Sequence, residues 1–436
     1  MPPSRRNKDG LLARVNFPLY SVQMLTSRHI LVAGGGGSSK TGVANGFEIY
    51  ELSHDSERYI AEEVTRHETG PSVVMNCATY SNGRKTYLVA GQESHCQLYN
   101  VIETVIDSGT RRKRTVSSSD GKVDGAGEPR QRRRMASKES ADKSEAKQQV
   151  NNNDHSYRQL MFEIKPNDSI QTDFSKEEPL QRVVRIGRNG KIMATAGTDG
   201  FVRLWDFPSL KKRLDIAAHS KEVDDLDFSP NLALLVSIAK DGHCLLWDTA
   251  TGKKVNELKW NVPEDSKYLY KRCRFGMIEG DLNKFRLFTL TNPVGRPAKS
   301  KSFLQMWSPE EASLKKSAHF SESLSALSVS DDGRFVAVGT MFSGSVSVYI
   351  AFSLQRVLHV EAAHSMFVTG LEFLPSVLDE PAINSATETA VVSISVDNRV
   401  CIHDLGYRRT IPPWVAIILI VVVLFLSFVL CSYLGL

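Results

Sequence analysis

Ile192–Asp206 reads IMATAGTDGFVRLWD, and Leu232–Asp248 reads LALLVSIAKDGHCLLWD. In both, an apolar, β-branched strand ends in small residues, a turn follows, and a second strand closes on Trp-Asp. Looser copies occupy Tyr87–Asn100 (YLVAGQESHCQLYN), Phe285–Trp307, Phe335–Ile350 (FVAVGTMFSGSVSVYI) and Val391–Asp404 (VVSISVDNRVCIHD), and His29–Leu52 makes a seventh. The copies recur every 40–50 residues or so where no insertion intervenes, the period of four-stranded propeller blades. This spacing predicts an all-β, seven-bladed β-propeller.

The repeats have the WD pattern, and the physics of a blade accounts for their residues. Each small twisted sheet packs face to face with its neighbours around a central channel, so inner strands must be apolar or alternating. Val223–Phe228, Leu324–Val329 and Val368–Phe373 fit that requirement. His219, Ser237, Asp241 and Trp247 stand where WD repeats carry a hydrogen-bonded tetrad, and His319 and His364 precede their inner strands at similar offsets. We read these histidines as members of buried networks rather than as catalysts or metal ligands. No H-E-x-x-H, nucleophile-elbow or paired-acid pattern accompanies them. Two segments could complete the last blade: Leu11–Asn16 (LLARVN) or Gly406–Thr410.

Between His29–Ala33 (HILVA) and Phe47–Leu52 (FEIYEL) lies Gly34-Gly35-Gly36-Gly37-Ser38-Ser39-Lys40-Thr41-Gly42-Val43-Ala44-Asn45-Gly46, thirteen residues of which six are glycine. An ordinary hairpin connection needs about two to five residues. Glycine costs folding entropy, so a loop this long and this rich in it reads as functional. Phosphate-loop readings fail: Ser39 rather than Gly precedes Lys40, no helix-forming run follows, and Ser39 also occupies the third glycine position of G-x-G-x-x-G.

Composition sets the frame. The six cysteines (Cys77, Cys96, Cys244, Cys273, Cys401, Cys431) form no C-x-x-C pair, which fits reduced, buried thiols better than a disulfide framework or a zinc site. The polar start MPPSRRNKDG lacks the apolar stretch of a secretory signal. Residues 107–156 hold twelve Lys/Arg against eight Asp/Glu and few bulky apolar groups, which predicts a disordered insertion in the second repeat. Its net +4 nearly accounts for the +5 of the whole chain, so the basicity belongs to the insertion and not to the blades. The runs Arg111–Arg114 and Arg130–Arg134 lack interleaved aromatics on which bases could stack, so nucleic acid is not the expected partner. Trp414–Leu436, WVAIILIVVVLFLSFVLCSYLGL, carries no charge and is long enough to cross a hydrocarbon core of about 30 Å. Arg408 and Arg409 precede it and place the preceding side in the cytosol. The expected organisation is a cytosolic propeller over 11–405 with the insertion 107–156, a juxtamembrane linker 406–413, and a single-pass anchor 414–436 with no lumenal domain after it.

Taken with the anchor, the stretch Leu31–Gly46 (LVAGGGGSSKTGVANG) closely resembles the first blade of the endoplasmic-reticulum exchange factors that load the Sar GTPase with GTP, in animals the family of the prolactin regulatory element-binding protein. The FPLY segment (Phe17–Tyr20) and the repeat pattern extend the resemblance over most of the chain. The resemblance implies a guanine-nucleotide exchange factor with no covalent chemistry, whose loop is ordered around a potassium ion and presses on the GTPase's nucleotide site. Carried over by position, Gly34, Gly35, Gly36 and Gly37 begin the loop, and these with Asn45 are the potential potassium ligands. Gly42 and Val43 form its tip region, and Asn45 is the polar residue of greatest weight at the GTPase contact. Carbonyl and amide oxygens are hard ligands suited to an alkali cation, whereas Lys40 can only donate. The implied setting is the ER membrane and its exit sites, where activation of the GTPase recruits the COPII coat indirectly. The rival readings are a membrane-tethered interaction scaffold without exchange activity and a DNA-binding transcriptional regulator.

Overall fold

Period-two apolar patterning along the repeats gives, among the described residues, 28 strands in seven four-stranded antiparallel sheets. The computed structural model describes residues 10–37, 42–55, 58–107, 158–263, 266–295, 300–376, 383, 387–407 and 413–435. Most of the predicted insertion 107–156 lies outside the described residues.

Blade 1 runs from the channel outward as β2 (Leu19–Met24), β3 (His29–Gly35), β4 (Asn45–His54) and β5 (Tyr59–Glu68). Blade 2 is β6 (Val74–Ser81), β7 (Thr86–Gln92), β8 (His95–Asp107) and β9 (Arg158–Gln171). Blade 3 is β10 (Gln181–Ile186), β11 (Ile192–Gly197), β12 (Phe201–Asp206) and β13 (Lys211–Ala217), and blade 4 is β14 (Val223–Phe228), β15 (Leu234–Ala239), β16 (Cys244–Asp248) and β17 (Lys254–Glu257). Blade 5 is β18 (Tyr268–Ile278), β19 (Asp281–Pro293), β20 (Ser302–Ser308) and β21 (Ser313–Phe320). Blade 6 is β22 (Leu324–Val329), β23 (Phe335–Thr340), β24 (Val346–Ile350) and β25 (Gln355–Val360). Each of the seven segments read as repeats is the pair of middle strands of one blade, and the three predicted inner strands are β14, β22 and the strand Val368–Phe373 of the last blade.

The seventh blade settles the question of closure. Its inner strands are β26 (Val368–Phe373), β27 (Thr387–Ser395) and β28 (Arg399–Gly406), and its outer strand is β1 (Leu11–Arg14). Leu11 pairs with Cys401 and Arg14 with Arg399, while the Val15 amide donates to the Asn398 carbonyl at 2.9 Å and the Ile402 amide to that of Gly10 at 2.7 Å. The N-terminal segment therefore closes the ring. The alternative Gly406–Thr410 does not supply this strand, since Gly406 ends β28 itself.

Cohesion comes from face-to-face packing of neighbouring blades. One cluster joins Val202 and Leu204 of blade 3 to Leu226, Phe228, Leu235 and Trp247 of blade 4, all buried. Another joins Leu19, Ile30 and Leu52 of blade 1 to Ala390, Val392 and Ile402 of blade 7. Buried on both faces, the second strands read as near-continuous apolar runs instead of alternating. The chain divides into a large unit, Met1–Ile102 with Phe162–Leu436, and a small one, Glu103–Met161, whose described residues are strand ends.

Helix α1 (Pro413–Leu434) begins one residue before the predicted span. Its Ile417–Leu434 window has a mean hydropathy of 3.0 and none of it is buried. At 1.5 Å per residue the helix is about 33 Å long, enough to cross a membrane. Cys77, Cys96, Cys244, Cys273 and Cys401 are buried free thiols, and Cys431 is exposed on α1.

Candidate functional site

Neighbouring strands run antiparallel, so the turn between the two middle strands of each blade and the crossover to the next blade emerge on one face. The glycine-rich connection between β3 and β4 lies on this crossover face. The remaining turns, and the end of β28, lie on the opposite face.

The stem of the loop is longer than its sequence suggests. Pairing of β3 with β4 continues past Ala33, with Gly34 opposite Gly46 and Gly35 opposite Asn45. Gly34 and Gly35, expected to begin the loop, are strand residues, and the connection proper is residues 36–44, of which 38–41 lie outside the described residues. The reason is close approach of backbone. A Cβ on Gly34 would lie 1.9 Å from the Pro18 carbonyl oxygen, and one on Gly35 (φ +145°) would lie 2.0 Å from Asn45 Oδ1. Only hydrogen fits at either position. Gly37 (φ +85°) and Gly42 (φ +77°) face open space, so there the backbone turn alone calls for glycine.

Asn45 is 5% exposed and holds this stem together. Its Oδ1 accepts the Gly37 amide at 2.9 Å, and its Nδ2 donates to the carbonyls of Gly37 at 3.1 Å and Gly70 at 2.9 Å. Its own carbonyl accepts the Thr69 amide at 3.0 Å. One side chain thus ties the loop to the crossover between blades 1 and 2. Gly42 is exposed, whereas Val43 and Ala44 are half-buried against the cluster shared by blades 1 and 7. Val43 therefore serves as a foot of the loop and not as part of a free tip. Lys40 lies outside the described residues.

Beneath the stem sits an aromatic group that sequence reading did not single out. Phe47 and Tyr99 meet edge to face at 5.4 Å between ring centres, and His67 packs edge-on to Tyr99 at 5.7 Å. Gln92 Nε2 donates to the Tyr99 hydroxyl at 2.7 Å. Burial lowers the His67 pKa and pushes that of Tyr99 up to about 12, so both rings are neutral near pH 7. The partners His67, Gly70 and Tyr99 are 22 to 54 residues from Asn45 and carry no motif, so only assembly of the blades reveals them.

The predicted tetrad of blade 4 forms. His219 Nδ1 lies 3.0 Å from Asp241 Oδ2, its Nε2 lies 2.7 Å from Ser237 Oγ, and Trp247 Nε1 donates to the same Oγ at 2.8 Å. With the indole donating, the serine hydroxyl donates to Nε2 and the Nδ1–H donates to the carboxylate, a single neutral tautomer. Burial lowers the His219 pKa in agreement. His364 repeats the arrangement in blade 7 with Asp397 at 3.1 Å and Ser393 at 2.7 Å, where His403 takes the tryptophan's place, its Nε2 at 2.8 Å from Ser393 Oγ. His319 departs from expectation. It lies exposed on β21, paired with Phe303, because that strand runs on through the position where a crossover histidine would stand. In blade 5, Trp307 Nε1 instead donates to Thr289 Oγ1 at 2.9 Å. The tetrads thus brace the blades, as expected of satisfied buried networks.

A cavity of about 140 Å³ in the central channel is lined by charged side chains of both signs, several of them paired. Arg274 pairs with Asp225 at 2.6 Å, and Arg182 with Asp224 at 2.8 Å.

Comparison with known proteins agrees with this architecture. The WD domain, G-beta repeat family matches residues 182–206 and 210–248, which fall within blades 3 and 4, where the Trp-Asp signature is complete. The chain is 34% identical over 423 residues to mouse guanine nucleotide-exchange factor SEC12, covering 95% of each protein, and equally similar to the rat protein. It is 26% identical over 198 residues to Arabidopsis SEC12-like protein 1, covering 45% of this chain and 47% of that one. With a glycine-rich loop on a braced seven-bladed propeller and similarity that runs nearly end to end, this chain belongs to the SEC12 family of guanine nucleotide-exchange factors.

Proposed function

We propose that this chain accelerates GDP release from a Sar-type small GTPase at the endoplasmic-reticulum membrane, and so starts COPII coat assembly at exit sites. The observation that carries the reading is the stem of the glycine-rich connection on the crossover face, where Asn45 ties Gly37 to Gly70. A stiff stem lets a loop displace a partner's structure without collapsing on contact. Tighter binding of the nucleotide-free GTPase than of the loaded one lowers nucleotide affinity by linkage, and abundant GTP then refills the site. Gly42, exposed beside the base, is the described loop residue best placed to touch the GTPase, with Val43 and Asn45 setting its position.

We further propose potassium as the ion that orders the loop. The donor set fits: Asn45 Oδ1 and the Gly37 carbonyl each use one lone pair in the clamp and keep another. These oxygens are neutral, which suits an alkali cation better than a divalent one. The other ligands would come from carbonyls of the run Gly34–Gly37.

The test is release of a fluorescent GDP analogue from a Sar-type GTPase and from an unrelated small GTPase, with the full chain in proteoliposomes. Release accelerated about tenfold or more for the Sar-type protein alone is the expected result. Binding without acceleration would make the chain a scaffold. Replacing potassium by lithium should slow exchange and raise amide hydrogen exchange at residues 36–44; no change in either would remove the ion.

A further inference from the structure

On the face opposite the loop, blades 5, 6 and 7 enclose a groove of about 1020 Å³. Its walls are apolar, with Phe335, Val357 and Leu405 among them, and its rim carries two exposed aromatics, Phe352 (65% exposed) and Tyr407 (62%). Charges of both signs stand over it. Arg334 Nη2 meets Glu388 Oε1 at 2.6 Å, and Arg286, Glu279 and Asp332 supply the other charges of the lining.

Two observations choose the occupant. Tyr407 lies six residues before Pro413, where α1 begins, so even an extended chain allows only about 21 Å between them. The groove is therefore confined to the neighbourhood of the bilayer. Its chemistry also matches that layer: aromatic rings with a polar edge favour the membrane interface, and paired opposite charges complement a head group carrying phosphate and ammonium together. We propose that the groove seats the head group of a zwitterionic phospholipid of the membrane that α1 crosses, with Phe352 and Tyr407 dipping into the interfacial layer. The propeller then rests on the bilayer by this face, and the glycine loop is turned away from it. The proposal depends on α1 spanning a membrane, but not on exchange activity.

The experiment uses the full chain in phosphatidylcholine proteoliposomes. A Cys431→Ser background removes the exposed thiol, and a fluorophore is placed at Phe352→Cys or, on the crossover face, at Phe342→Cys. Lipids spin-labelled on the head group should quench most of the fluorescence at 352 and leave 342 unchanged. Equal quenching at both sites, or none at 352 while the chain resists carbonate extraction, overturns the proposal. Extraction by carbonate would instead refute the anchor itself. Amide protection of residues 277–280 and 332–335 should be lost when a nonionic glycolipid replaces phosphatidylcholine. Protection kept in that bilayer would overturn the head-group assignment.

Discussion

Replacing Asn45 by alanine removes three hydrogen bonds, of 2.9, 3.1 and 2.9 Å, from a side chain only 5% exposed. Each is worth about 1 kcal/mol net, and the Gly37 amide and Gly70 carbonyl lose their side-chain partner at a cost of about 1–3 kcal/mol each if water does not reach them. Bridging by water at the half-buried loop recovers part of this, which leaves about 3 kcal/mol. A domain of this kind is stable by about 5–15 kcal/mol, so the variant stays folded. For the roughly 330 described residues of the propeller the unfolding entropy is about 0.7 kcal/mol per kelvin, so the loss lowers Tm by about 4 °C. If the cost falls on the loop alone, the clamped population drops by up to about 150-fold, and GDP release slows in proportion. Calorimetry with a stopped-flow release assay measures both. A lowered Tm with unchanged release would show that the clamp is structural only. An unchanged Tm would refute the hydrogen-bond accounting itself.

Four further outcomes are expected. Gly34→Ala places a methyl group 1.9 Å from the Pro18 carbonyl oxygen within paired backbone and should cost about 3 kcal/mol, read by urea denaturation. Ser237→Ala strands the ring nitrogens of His219 and Trp247, which it bridges at 2.7 and 2.8 Å, and should cost about 2–4 kcal/mol by the same assay. Burial holds the His403 pKa down to about 3. As pH falls from about 6.5 toward 3 the unfolded chain gains a proton there that the folded chain refuses, so this residue's share of stability is present near pH 7 and declines by up to about 1.4 kcal/mol per pH unit. Denaturation of His403→Trp at pH 7, 6 and 5 should show a correspondingly shallower loss than the parent. Deleting residues 1–15 strips β1 from β28 and exposes the edge of blade 7; a marked fall in Tm and a gain in aggregation by light scattering are expected.

What could be read before folding was whatever repeats or is local. The middle strands of all seven blades carry their period and their apolar runs on the chain, and the tetrad of blade 4 is complete in residue type and spacing. His319 misled because a histidine ahead of an inner strand looks the same whether the outer strand stops short of it or runs through it. Asn45 was legible as a polar residue beside glycines, but its function as a clamp was not, because Gly70 belongs to the next crossover.

The sequence alone determined the seven-bladed propeller, the apolar terminal helix and the position of the glycine-rich connection, since periodicity and composition are properties of the chain itself. Tertiary structure decided which strand closes the ring, that Gly34 and Gly35 pair as strand while Val43 packs inward, and which residues brace the loop from beneath. Those outcomes depend on distances between segments far apart along the chain, and such distances exist only once the blades have packed against one another.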